Sequence, residues 1–252
     1  MPSSSLAHSA RLLIGTAGWS LPRAEQAHFP SLGSHLERYS ARFEGGEINS
    51  SFRRSHRSAV WEKWRDSVPA EFRFSVKMPK SITHQARLAD ADALIESFLI
   101  EVAHLREKLG CLLVQLPPSL AYNASLARAF FSKLGEQVVV PVACEPRHAS
   151  WFEAEANALL ADLHIARVAA DPARVPAAAE PGGWREFVYF RLHGSPKIYD
   201  SAYGAEFLAA LSARLAIECE QARTAWCVFD NTTLGAATGN ALALSAALRQ
   251  DA

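Results

Sequence analysis

Net charge is the first thing this chain lacks: across 252 residues, 26 Lys and Arg are offset by 26 Asp and Glu. Proteins that grip a nucleic-acid backbone by charge usually carry a basic excess, so nonspecific nucleic-acid binding is disfavoured, although local basic patches remain allowed. No apolar run approaches the roughly 20 residues of a membrane span, and no membrane partner is expected. Met1-Pro-Ser-Ser-Ser lacks the basic and apolar regions of a signal peptide. Residues 1–10 read as a flexible N-terminal segment, and the expected location is the cytoplasm. Cys111, Cys144, Cys219 and Cys227 are widely spaced, without a C-x-x-C pair. That pattern predicts buried thiols in a reducing compartment and argues against a disulfide scaffold.

Several signatures of chemistry are also missing. Gly15-Thr-Ala-Gly18-Trp19 does not have the G-x-G-x-x-G spacing, so no nucleotide-cofactor motif is present. The absence of a G-x-S-x-G elbow and of a Cys with an evident His partner disfavours covalent acyl transfer. Neither H-x-H nor H-E-x-x-H occurs. A divalent metal is then allowed only through a mixed oxygen and nitrogen set, Glu145, Asp171, His193 and Asp230.

What the chain does have is rhythm. Short apolar or alternating runs begin near residues 11, 45, 72, 111, 138, 164, 187 and 225. Between them lie stretches with helical periodicity, such as Leu94, Ile95, Phe98, Leu99, Val102 and Leu105. Only residues 172–183, rich in Ala, Pro and Gly, lack a helical pattern. Eight strands alternating with helices, with no linker between, predict an α/β fold: a single-domain (β/α)8 TIM barrel over residues 11–249, with the helix after strand six degenerate or missing.

Charge gathers where these apolar runs stop. The fifth strand, read as starting at Val138-Val139-Val140, ends in Glu145-Pro-Arg147-His148-Ala-Ser-Trp151. Others end in Trp19, Glu47 with Asn49, Lys77 followed by His84, Gln115, Asp171, Arg191 with His193, and Asp230 with Asn231. In a barrel of this kind those ends share one face, where active sites are found. Glu145, Glu47, His193 and Asp230 are the acid/base candidates. Lys77, Arg147 and Arg191 suit a phosphate or carboxylate. Trp19, Asn49, His84, Gln115, Trp151, Tyr199 and Asn231 complete the expected binding surface. The bland alternative is a structural network, with Glu47–Arg191 or Glu145–Lys77 as ion pairs.

Taken in order, Gly15-Thr-Ala-Gly-Trp19-Ser, Glu47-Ile-Asn49-Ser-Ser-Phe52, Phe74-Ser-Val-Lys77 with Ile82-Thr-His84, Leu113-Val-Gln115-Leu-Pro-Pro118, Glu145-Pro-Arg147-His148-Ala-Ser-Trp151, Arg191-Leu-His193-Gly194 and Phe229-Asp-Asn231 resemble the YecE-like proteins, a bacterial and archaeal family of unknown function. The resemblance implies a TIM barrel and supplies no activity. This chain departs from the family pattern at Leu21, at Ser51-Phe52-Arg53 and at Asp230-Asn231. The leading expectation is an enzyme acting on a small polar anionic substrate, with hydrolase, isomerase and lyase chemistry equally compatible. The alternatives are a non-catalytic metabolite sensor and a nucleic-acid-processing barrel using Arg53, Arg54, Arg57, Lys77 and Lys80. Oligomeric state is open.

Overall fold

In the computed structural model, which describes residues 11–250, parallel strands alternate with helices. The strands are β1 (Arg11–Thr16), β2 (Gly45–Ile48), β3 (Arg73–Lys77), β4 (Leu109–Gln115), β5 (Val142–Glu145), β6 (Ile165–Arg167), β7 (Ala169–Asp171), β8 (Gly182–Gly183), β9 (Phe187–Leu192) and β10 (Thr224–Phe229). The helices are α1 (His35–Ser40), α2 (Ser58–Asp66), α3 (Asp92–Val102), α4 (Ala124–Gln137), α5 (Ala154–Asp162), α6 (Ala205–Gln221) and α7 (Ala236–Gln250). The expectation for residues 1–10 lies outside the described residues. No helix among the described residues is long and apolar enough to cross a membrane.

The ladders form two sheets, one of four strands in the order β1-β10-β9-β7 and one of six in the order β2-β3-β4-β5-β6-β8. All pairs are parallel except β6 with β8. β1 and β2 meet through a single bridge, Ala17 to Glu47. Beside it the Tyr39 hydroxyl donates to Gly45 O at 3.1 Å and accepts from Thr16 N at 2.8 Å. Gly15 makes this approach feasible, because a Cβ there would lie 2.2 Å from the Gly45 carbonyl oxygen. Tyr39 therefore joins two strands that share almost no ladder.

The missing helix after strand six is as expected: residues 172–186 hold only a 3₁₀ turn, Pro176–Ala179, and the β8 dipeptide. The start of strand five is not. α4 runs on to Gln137, Val139 is fully exposed and the strand begins at Val142. β-Branching alone does not make a strand where the chain is still turning from helix to sheet and lies exposed. The single strand expected over 164–171 is instead two short ones, β6 and β7, which pair with different neighbours.

Two apolar clusters occupy opposite faces of the strands. The larger one fills the space between strands and helices. The smaller one contains Leu13, Cys111, Leu113, Ala143, Ala166, Val168, Phe187, Tyr189, Trp226 and Val228. Strand residues alternate faces with period two. Continuing along the second face therefore leads from Leu113 to Gln115, from Ala143 to Glu145, from Tyr189 to Arg191 and His193, and from Val228 to Asp230. The charged residues thus stand directly above the smaller cluster.

Candidate functional site

Arg191 is the hub of this layer. It is fully buried, and it donates from Nε and Nη2 to the two Glu47 oxygens at 2.9 and 2.8 Å. Its Nη1 reaches Glu145 Oε2 at 3.2 Å and its Nη2 lies 2.9 Å from Asp230 Oδ2. Three carboxylates around one guanidinium would be untenable without further compensation, because buried charge must be paired and hydrogen-bonded. The compensation is present. Tyr189 Oη donates to Glu47 Oε2 at 3.0 Å and exchanges a bond with Ser75 Oγ at 2.9 Å. Gln115 Nε2 donates to Glu145 Oε2 at 2.8 Å, and Arg147 Nη2 donates to Glu145 Oε1 at 2.5 Å.

His193 is held from both sides. Its Nδ1 lies 3.0 Å from Asp230 Oδ2, and its Nε2 lies 2.8 Å from Glu145 Oε1 and 2.9 Å from Arg147 Nη2. An ionised Asp230 only accepts, so Nδ1 carries a proton. Nε2 has two coherent states. Protonated, it donates to Glu145; unprotonated, it accepts from Arg147. Gly194 follows with φ +94°, where a Cβ would come 2.8 Å from Ser201 O, so the chain turns away tightly after the imidazole. Pro146 does the same after Glu145, since it has no N–H to extend a ladder.

The electrostatics follow from burial and pairing. Burial raises the carboxyl of Glu145, but Arg147, Arg191 and His193 outweigh it and hold that group well below the usual range. Asp230 is lowered in the same way, burial opposing and Arg191, His193 and Lys77 prevailing. Lys77 moves the other way: burial and the Arg191 charge bring its ammonium down to about 8, against the pull of Glu47, Glu145 and Asp230. Burial, Lys77 and Arg147 together lower His84.

Several cationic atoms here have no protein partner. Lys77 Nζ sits 4.2 Å above the Phe52 ring and has no hydrogen-bond acceptor or ion-pair partner among the described residues. Arg147 Nε is buried and unbonded. His84 is half-buried, bonded at Nδ1 to Thr83 Oγ1 at 2.9 Å and edge-on to Phe52. Tyr199, 43 % exposed and in the left-handed region at φ 70°, sets its ring edge-on to His193.

Not every expected residue joins the cluster. Trp151 is buried, donating its Nε1 proton to Leu120 O at 2.9 Å and packing on Tyr122 and Phe131, so it is a core anchor. Trp19 packs edge-on against Trp64 and Phe74 within the larger apolar cluster. Asn231 ties Ser201 O and Asn240 Oδ1 together through Nδ2, leaving its buried Oδ1 unbonded. Asn49 reaches Asp230 Oδ1 only at 3.5 Å. The Asp171 carboxylate accepts from the Tyr203 hydroxyl at 2.7 Å, while its backbone oxygen accepts from His193 N at 2.7 Å. The expected metal set is therefore not assembled: among the described residues no group of three or more His, Cys, Asp or Glu side chains is placed to hold a metal ion. The sequence reading missed Tyr189 and Ser75, which complete the Glu47 environment. Their signal was available in the period-two series Tyr189-Arg191-His193 and Ser75-Lys77.

Relatives share this arrangement of chain. Over 106 residues, 32 % are identical to UPF0759 protein YecE of Escherichia coli K12, and the O157:H7 protein matches equally. The match takes in 42 % of this chain and 38 % of those proteins, so the chain spans about two fifths of the length of the curated relatives it matches. A crystal structure of a DUF72 family protein from Enterococcus faecalis V583 superposes with a TM-score of 0.79 at 22 % identity, covering 94 % of this chain and 95 % of that one. One from Thermotoga maritima MSB8 gives 0.78 at 24 % identity, covering 95 % and 99 %. These two likenesses bear on the fold. The family model described as "Protein of unknown function DUF72" matches residues 13–252, nearly the whole chain, and the chain belongs to that family.

Proposed function

We propose that residues 11–249 form one (β/α)8 barrel domain whose strand ends carry an acid/base active site for a small polar, anionic substrate bearing phosphate or carboxylate. Closure of the two sheets is supported by the β1–β2 bridge and by β6 and β7, which follow one another across Val168 and pair with β5 and β9 respectively. The observation that carries the functional reading is His193 Nε2, which lies within 3 Å of both a carboxylate acceptor and a guanidinium donor while Asp230 fixes the other nitrogen. Such a nitrogen takes up or releases a proton without leaving its place. Arg147, whose side chain keeps 12 % of its surface exposed, and half-buried His84 supply the anion contacts.

The test is a thermal-shift titration with inorganic phosphate and with simple carboxylates, followed by product analysis of any compound that binds. A melting-temperature rise that disappears in Arg147→Ala places the anion. Turnover should fall by about 10² or more in His193→Asn, in keeping with loss of a general acid/base. A rise that persists in Arg147→Ala sinks the site. A ligand returned unchanged makes the protein a sensor instead. A nucleic-acid reading draws on Arg53, Arg54 and Lys80, which line a cavity of about 350 Å³ beside Phe52, without Arg57 and Lys77. Steep salt dependence of oligonucleotide binding would favour it.

A further inference from the structure

Two lysines are buried among the described residues, Lys77 and Lys108, 6 and 5 % exposed. Lys108 is satisfied: Nζ donates to Pro69 O at 2.6 Å and to Ala70 O at 2.7 Å. Lys77 has no acceptor, only the Phe52 face. The surrounding carboxylates are otherwise engaged, Glu47 and Glu145 by Arg191, and Asp230 by Arg191 and His193. Among the described residues, the fully enclosed side-chain polar atoms left without a partner are Tyr122 Oη, Arg147 Nε, Arg167 Nε, Trp226 Nε1 and Asn231 Oδ1. Lys77 Nζ is not one of them, so its amine keeps an opening to the outside.

From this geometry we infer that Lys77 is a nucleophilic amine and that the substrate class of the proposed site is an anionic carbonyl compound, such as a 2-oxo acid or a phosphorylated aldehyde or ketone. The inference rests on the acid/base reading above and narrows it. Burial beside Arg191 keeps the amine about 8, where a useful fraction is neutral near pH 7–8. The groups that act on it are Arg191 and His84 on the cationic side and Glu47, Glu145 and Asp230 on the anionic side. In the covalent step the Nζ lone pair forms a bond to the carbonyl carbon, and a proton moves from nitrogen to oxygen to give a carbinolamine. That oxygen takes a second proton, from His193 Nε2 or His84, and leaves as water while the nitrogen pair forms the C=N bond. The iminium carries one positive charge, as the ammonium did, so the three carboxylates meet the same charge. Hydration reverses the sequence. Arg147 is left for the anionic group.

The experiment uses the whole protein with pyruvate or glyceraldehyde 3-phosphate and sodium borohydride, which reduces an iminium to a stable secondary amine read by peptide mass mapping. Lys77 should carry about tenfold more adduct than exposed Lys63, Lys80 or Lys197, since burial and the Arg191 charge bring its ammonium down to about 8. Excess inorganic phosphate should suppress that labelling, and Lys77→Met and Lys77→Arg should both abolish it. Adduct spread over the lysines in proportion to exposure overturns the assignment, as does none on Lys77 with either probe. Phosphate stabilisation is measured in parallel. If it persists in wild type and fails in Arg147→Ala while Lys77 stays unlabelled, the anion site stands and the amine chemistry falls. If Lys77 is labelled and phosphate has no effect, the amine stands and the anion reading falls.

Discussion

Lys77 and Lys108 sit at opposite ends of neighbouring strands, one closing β3 and the other just before β4, and they are buried to nearly the same degree. Around Lys108 the cations are tied to backbone carbonyls. Besides Lys108 itself, Arg73 donates to Ala70 O and Phe72 O, and Arg11 to Glu71 O. Those bonds consume carbonyl acceptors where loops enter the strands, and they leave no cationic atom of Lys108 unpaired. At the Lys77 end the charges bind one another in a network, which leaves Lys77 Nζ and Arg147 Nε unsatisfied. A chain under selection for stability alone has no reason to keep such groups, whereas an active site does. The difference separates an end whose cations are tied to backbone carbonyls from one that keeps cationic atoms free.

The largest expected effect is at the hub. Arg191→Met leaves Glu47, Glu145 and Asp230 without their shared guanidinium and should cost about 3–5 kcal/mol in urea unfolding at pH 7. Lys77→Met should act in the opposite direction. The folded pKa of about 8 lies below the ordinary 10.5, so the unfolded chain binds this proton more tightly and the native ammonium costs stability below pH 8. Removing it should stabilise the fold by up to about 3 kcal/mol at pH 7, with the gain fading between about pH 8 and 10.5. Constant destabilisation across that range would show a structural lysine. Lys108→Met should instead lose about 2 kcal/mol, because Pro69 and Ala70 lose a charged donor. Arg73→Met, whose guanidinium serves one exposed and one part-buried carbonyl, should cost about 1 kcal/mol or less. A ranking in which Arg73 or Lys108 outweighs Arg191 would erase the contrast.

The ends of the strands were legible because a buried parallel strand reads as an apolar run, and charge has no reason to appear in it except where the run meets a cleft. Glu47, Glu145, Arg191, His193 and Asp230 were identifiable on that basis alone, and Glu47–Arg191 is indeed an ion pair. Glu145–Lys77 is not; Glu145 bonds Arg147, Gln115, Arg191 and His193 instead. Which acid meets which base depends on strand register, and that is set by partners far away in the chain. Trp151 packs on Tyr122 and Phe131 rather than in the strand-end cluster, since an aromatic one turn beyond a charged motif has the same sequence appearance whether it faces a ligand or the helices. The start of strand five at Val138 failed for a local reason: α4 runs on to Gln137, and the valines fall in the loop behind it.

The seam held by Tyr39 also has a consequence in time. β1 is laddered only to β10, from Arg11 against Thr224 to Thr16 against Phe229, and touches β2 at one bridge. On the ribosome, residues 11–16 emerge well before residues 224–229, their hydrogen-bonding partner. β1 therefore cannot be seated until β10 has been made, and until then Glu47 and its neighbours stand beside an open edge.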